Sequence, residues 1–314
     1  GMKKIIVTLI LVSASFAIYS YHLPQSLEFT TDLGRDMYQT IKITQGDLVL
    51  VGPKMNFGGF WAGPHLYYLL APFLMLGRFE VANALYFHAL LFVFSIGFFF
   101  WVSSKKIGLF KSFTGAVFLA LLPVYIMSAR YPSNGYTYIS LLLIVFTLTF
   151  FSNFNNRKVL LTIGILSGSI FNIHPISMLA LIFIACYIFI FLKKRTLFLF
   201  FLGAVLITFI PSIVFEMTHG FVMTKDTFIN KSYKTFTESS FTPQFWLNEN
   251  QLISSFLFIS EKFKKFINLA PIFYFGLASL VLGWKLFLNR RFKKGILQPL
   301  DLFLFCSSLI CLLL

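Results

Sequence analysis

The chain has 314 residues, 58% of them hydrophobic, 19% aromatic and only 12% charged, with a formal net charge of +15 and a mean hydropathy of +0.82. So few charged side chains cannot clothe a water-soluble domain, and the composition predicts an all-α polytopic membrane protein. Nucleic acid is excluded as the partner behind the basic excess, because the lysines and arginines fall in short clusters between apolar runs. Such clusters hold loops on the cytoplasmic side and favour anionic lipid headgroups.

Lys3 and Lys4 precede IIVTLILVSASFAIYSY, which suits a short first span or a signal-peptide core. Either reading places residues 20–65 outside, as a first extracytoplasmic loop. Its centre is Asp32 to Tyr68, DLGRDMYQTIKITQGDLVLVGPKMNFGGFWAGPHLYY, the first long polar interruption in the chain. Leu66 to Leu76 is short and broken by Pro72, so it reads as a re-entrant or interfacial helix. Val81 to Ser103 crosses to Lys105, Lys106 and Lys111, and Phe113 to Ser128 returns to an outer turn, SARYPSNGY. Tyr138 to Phe151 leads back to Arg157 and Lys158. Leu160 to Ile173 goes out to His174 and Pro175, and Ile176 to Leu192 descends to Lys193, Lys194 and Arg195. Thr196 to Phe215 rises to a second long extracytoplasmic segment, residues 216–266. Asn268 to Phe287 descends to Arg290, Arg291, Lys293 and Lys294, and Leu302 to Leu314 begins another ascent. Each inner turn thus carries a basic cluster. Of the 11 acidic residues only Asp301 falls inside, so the chemistry is expected to face out. The sequence stops within an apolar run, and the reading is one membrane domain over 1–314, truncated at its C-terminal side. Cys186, Cys306 and Cys311 lie in apolar runs without metal-type spacing and read as small buried hydrophobes.

If Asp32 to Gln45 forms a helix on the outer surface, Asp32, Arg35 and Asp36 share one face at i, i+3 and i+4. One reading is structural: Thr31 or Asp32 caps the helix and the aspartates complement its positive end. The other is catalytic, because burial beside the first membrane segment raises a carboxylate pKa and fits it to act as a base. GPKMNFGGFWAGPHLYY then sets Lys54, Trp61, His65, Tyr67 and Tyr68 among glycines that permit close backbone approach. That suits a phosphorylated, partly apolar ligand, with an interfacial aromatic belt as the alternative. Glu216 and His219, one helical turn apart, are candidates to bind an acceptor or a cation, or else form a polar helix end. Arg130, Tyr131 and Asn134 make an outer turn that touches a ligand or anchors the interface. His88 within a span is expected to hydrogen-bond a neighbouring helix.

DLGRD followed by VGPKMNFGGFWAGPHLYYLLAPFL resembles the first external loop of the C-superfamily membrane glycosyltransferases. The bacterial branch of protein O-mannosyltransferases, lipid A aminoarabinose transferases and rhizobial core-polysaccharide galacturonosyltransferases is the nearest in pattern. PSIVFEMTHGF resembles a second segment of that branch. The resemblance implies a transmembrane helical bundle with interfacial helices in a long first extracytoplasmic loop. It implies inverting transfer of a sugar from a polyprenyl-phosphate donor to a lipid, polysaccharide or protein acceptor, as in lipopolysaccharide and cell-envelope glycosylation. The active site would face the periplasm or cell exterior from the cytoplasmic membrane. Asp32 takes the place of the catalytic acid residue, Arg35 and Lys54 stabilise the departing phosphate, and a second carboxylate role falls to Asp36. Whether a divalent cation takes part stays open. Two other classes remain: a lipid-linked saccharide transporter or flippase, and a noncatalytic subunit of an envelope assembly complex.

Overall fold

The computed structural model describes residues 2–26, 30–55, 61–192 and 194–229. All described residues belong to one compact unit, within residues 1–235. The rest of the second polar segment beyond residue 229 and the spans expected at Asn268–Phe287 and Leu302–Leu314 lie outside the described residues, as do residues 56–60.

Among the described residues the fold is all-helical. Its helices are α1 (Met2–Ser20), α2 (Thr31–Thr44), α3 (His65–Leu76), α4 (Val81–Ile107), α5 (Leu109–Leu121), α6 (Pro123–Arg130), α7 (Asn134–Phe151), α8 (Arg157–Ile173), α9 (Met178–Phe191), α10 (Phe198–Ile207) and α11 (Ile210–Thr218). Of these, α1, α4 and α7 are long and apolar enough to cross a membrane. Two expected spans are broken. α5 and α6 meet at 60° where Leu122 is extended ahead of Pro123, and α10 and α11 meet at 48° before Pro211. A proline forces its predecessor out of the helical region, and that is the bend at Leu122. Counting each bent pair as one span gives up to five crossings.

Two apolar clusters hold the bundle. Leu11, Phe92, Ile96, Phe100 and Ala116 join α1, α4 and α5; Leu70, Val145, Ile163, Ile184 and Phe201 join α3, α7, α8, α9 and α10. Ile5, Leu9 and Ile10 of α1, Ile182 and Ile190 of α9 and Leu199 and Leu206 of α10 stay exposed, as lipid-facing side chains do. α8 and α10 approach through Gly164 and Gly168. A Cβ on Gly164 would lie 2.6 Å from the Phe201 carbonyl oxygen, and one on Gly168 2.9 Å from that of Val205. Small residues four apart allow this backbone contact between apolar helices.

Among the described residues, two of the basic clusters cap helix ends. Lys4 donates to the Trp101 carbonyl at 2.5 Å, and Lys106 donates to those of Phe150 and Ser152 at 3.3 and 3.2 Å, capping α7 with a cation. At the end of α1 opposite Lys4, Arg130 caps the helix, donating to the carbonyls of Tyr19 and Tyr21 at 2.9 and 2.8 Å and to the Ser26 hydroxyl. Arg130 is therefore committed to holding that helix end. Within the bundle His88 sits between the Ala129 carbonyl and the Thr137 hydroxyl, each 3.0 Å away, the interhelical role expected of it. The Asp32–Tyr68 stretch lies at the Arg130 end, where the Thr30 hydroxyl meets that of Tyr131.

Candidate functional site

α2 forms as its pattern requires. Thr30, rather than Thr31 or Asp32, is the N-cap: its hydroxyl accepts the Leu33 amide at 3.2 Å. A cap of this kind is worth about 1 kcal/mol, and Asp32 in the first turn complements the helix dipole. The buried stripe is Leu33, Asp36, Met37 and Thr40, at i, i+3, i+4 and i+7. It packs on α3, where Leu66, Tyr67, Leu70 and Leu74 are also buried. Leu33 and Met37 each contribute roughly 2 kcal/mol by leaving water. Asp36 occupies the remaining position of an apolar stripe, and from that follows the character of the site.

Arg35 grips both aspartates. Its Nη1 lies 2.8 Å from Asp32 Oδ1, its Nε donates to Asp36 Oδ1 at 2.9 Å, and its Nη2 reaches the same oxygen at 2.8 Å. The two carboxylates differ sharply in environment. The Asp32 side chain is 64% exposed and that of Asp36 is 0% exposed, so the burial expected to make a base falls on Asp36. Desolvation raises Asp36 to about 6, against the pull of Arg35 and a smaller one from the Tyr67 hydroxyl. Oδ2 of Asp36 is buried with no hydrogen-bond partner. Burial also raises Tyr67, which keeps its proton and remains a donor. Arg35 itself loses hydration, but its two carboxylates more than restore its preference for charge.

Residues 52–54 pair with residues 61–63 in a short ladder. The Gly52 amide donates to Ala62 O at 2.8 Å, the Ala62 amide to Pro53 O at 2.9 Å, and Lys54 bridges Trp61. The ladder is pinned to α8, with the Gly63 amide donating to the Asn172 carbonyl at 2.6 Å. A Cβ on Gly63 would stand 2.7 Å from that of Asn172, so this position requires glycine. The ladder sets the Lys54 ammonium 5.9 Å over the Trp61 ring and 2.5 Å from Asp226.

Between α2 and the ladder lies a cavity of about 630 Å³. Arg35, Gln39 and Lys42 form one wall, at i, i+4 and i+7 of α2; Val49, Val51, Lys54 and Trp61 form the other, with Tyr67 and Asp47 completing it. Three cations therefore face a space with aliphatic and indole walls. Such a lining suits an anion attached to an apolar body.

Comparison with protein-family models, with curated proteins and with solved structures gives no match.

The remaining candidates do not line this cavity. Tyr68, next to the buried Tyr67, turns outward and is 39% exposed. His65 opens α3 with Nδ1 buried and unpartnered, and burial lowers it to about 4, so its ring is neutral at physiological pH. Glu216 closes a local turn, accepting the amides of Met223 and Thr224 at 2.6 and 3.0 Å, while His219 stacks on Phe215 at 4.1 Å. Neither lines the Arg35 cavity. No group of three or more His, Cys, Asp or Glu side chains is arranged to hold a metal among the described residues. Gln39, Lys42, Asn172 and Asp226 were not anticipated. The first two were readable as the continuation of Arg35 along one helical face; the other two come from remote sequence.

Proposed function

We propose that this chain is an inverting glycosyltransferase that takes a sugar from a polyprenyl-phosphate donor and passes it to a lipid, glycan or protein acceptor. The observation that carries the reading is the cavity walled by Arg35, Lys42, Lys54 and Trp61 beside the exposed carboxylate of Asp32. The donor phosphate lies against the cations and its first isoprene units against Trp61, Val49 and Val51. The acceptor hydroxyl oxygen attacks the anomeric carbon and gives its proton to Asp32 as the new bond forms. The bond from that carbon to the phosphate oxygen breaks on the opposite face, and the phosphate leaves with the electron pair. It already carries charge, so it needs cationic stabilisation more than protonation, and the Arg35 fork supplies it. Asp36 does not reach the reactants; it fixes Arg35 from behind. With the basic helix ends on the cytoplasmic side, the cavity faces the exterior of the cytoplasmic membrane. In α1, α4 and α7 the charged side chains stand only at the helix ends, which favours surface chemistry over a conducted transport path.

The test is transfer from a panel of radiolabelled polyprenyl-phosphate sugars in proteoliposomes, with and without chelator. A labelled acceptor product supports the reading and names the sugar. Movement of label across the bilayer without product replaces it with the transporter.

A further inference from the structure

Asp36 is fully buried, yet only one of its oxygens is used. Oδ1 takes two contacts from Arg35, while Oδ2 has no hydrogen-bond partner and is sealed from water. Arg35 also lines the cavity, and Asp36 does not. The charged and titratable groups facing Asp36 are Asp32 and Arg35 from α2 and Tyr67 from α3, with Lys42, Lys54 and Asp47 around the cavity beyond. Asp32, Arg35 and ionised Asp36 together carry a net charge of −1. An anion that enters to meet Arg35 must share that cation with two carboxylates.

We infer that an anion enters the Arg35 cavity together with a proton, which Asp36 takes up on its unpartnered oxygen. Protonation leaves Oδ1 as an acceptor for Arg35, so the fork keeps its position. The triad becomes neutral, and Arg35 then has one opposing carboxylate, Asp32, where it had two. The proton comes from water and returns to it when the anion leaves.

The magnitude follows from the spacing. One negative charge about 7 Å from Asp36, across the guanidinium, raises that carboxyl by about one to two pH units at an effective dielectric constant near 20. Asp36 starts at about 6, so the shift falls across neutral pH. By reciprocity, protonating Asp36 tightens the anion by the same factor, about ten- to a hundredfold. Asp36 is thus a positioning residue that also makes affinity depend on pH. This inference rests on the donor-phosphate reading of the cavity.

The experiment uses the full chain in nanodiscs and a short isoprenyl methyl phosphodiester, which carries one charge throughout pH 5–8 and adds no titration of its own. Calorimetry at pH 7 in buffers of different ionisation enthalpy counts protons directly, without any substitution. The expected result is uptake of about 0.4–0.8 proton on binding, and a Kd that rises up to about tenfold per pH unit between pH 6.5 and 8. Asp36→Asn is expected to bind with a flat pH profile and no proton uptake, whereas Asp32→Asn keeps the slope. Binding by the unmodified chain with no buffer dependence overturns the coupling and leaves the donor site standing. A slope that persists in Asp36→Asn does the same. No binding at any pH overturns both the coupling and the donor-phosphate reading.

Discussion

Replacing Arg35 with Met leaves Asp36 buried without its cation, and the cost of that depends on pH. Breaking a buried pair by removing one partner typically costs 3–5 kcal/mol. The Arg35 side chain is 36% exposed, which places it at the low end, about 3 kcal/mol at pH 8. At pH 5 the stranded carboxyl is neutral, and the loss falls to that of its hydrogen bonds, about 1 kcal/mol. The sign follows from linkage. Asp36 already binds its proton more tightly folded, at about 6, than an ordinary aspartate does at 3.8, and losing Arg35 raises it further. A carboxyl raised in the folded state contributes stability below its unfolded pKa and loses it as pH rises through the folded pKa. The variant's deficit therefore grows from pH 5 to pH 8 by about 2 kcal/mol, or roughly 4–8 °C in Tm for a unit of this size. Thermal unfolding of both proteins in detergent at the two pH values reads this out, with Arg35→Met/Asp36→Leu recovering most of the loss at pH 8. An equal deficit at both pH values, or a double variant no better than the single one, would refute the account of the pair.

Gly168→Val drives a side chain into the Val205 carbonyl and should cost about 1–3 kcal/mol through separation of α8 and α10, measurable as a lower unfolding midpoint. Arg130→Gln removes the cation from the carbonyls of Tyr19 and Tyr21; the expected loss is about 1–2 kcal/mol, with faster hydrogen exchange confined to the last turn of α1. Lys42→Gln and Lys54→Gln should each weaken donor binding by about three- to tenfold, the Lys54 change less because Asp226 already shares its charge. A titration that ranks them in the opposite order would remove Asp226 from the account.

The helical part of the site was legible because it obeys one period. Asp32, Arg35 and Asp36 meet as their spacing requires, and Gln39 and Lys42 extend the same face. What spacing does not reveal is which carboxylate is buried. That depends on α3 covering Leu33, Asp36 and Met37 while leaving Asp32 at the edge, a fact of tertiary packing. The cap fell on Thr30, one residue earlier than expected, because Thr31 is already inside the helix. α1, α4 and α7 were legible as spans from hydropathy, whereas α8 and α9, also expected to cross, fall short of the length and apolarity a crossing needs; the breaks at Pro123 and Pro211 were not anticipated, although the prolines mark both. Gly164 and Gly168 carry a readable small-residue spacing whose partner, α10, only the fold identifies. Contacts such as Lys54 with Asp226, 172 residues apart, leave no local signal at all.

The most direct test of the account is transfer of labelled sugar by the full chain and by its Asp32→Asn variant, with donor binding measured on the same samples. Asp32→Asn removes the proton acceptor with little change of shape. The account predicts a loss of transfer of about 10²- to 10⁴-fold, with donor affinity retained. Transfer at the unaltered rate by a folded Asp32→Asn protein would contradict it.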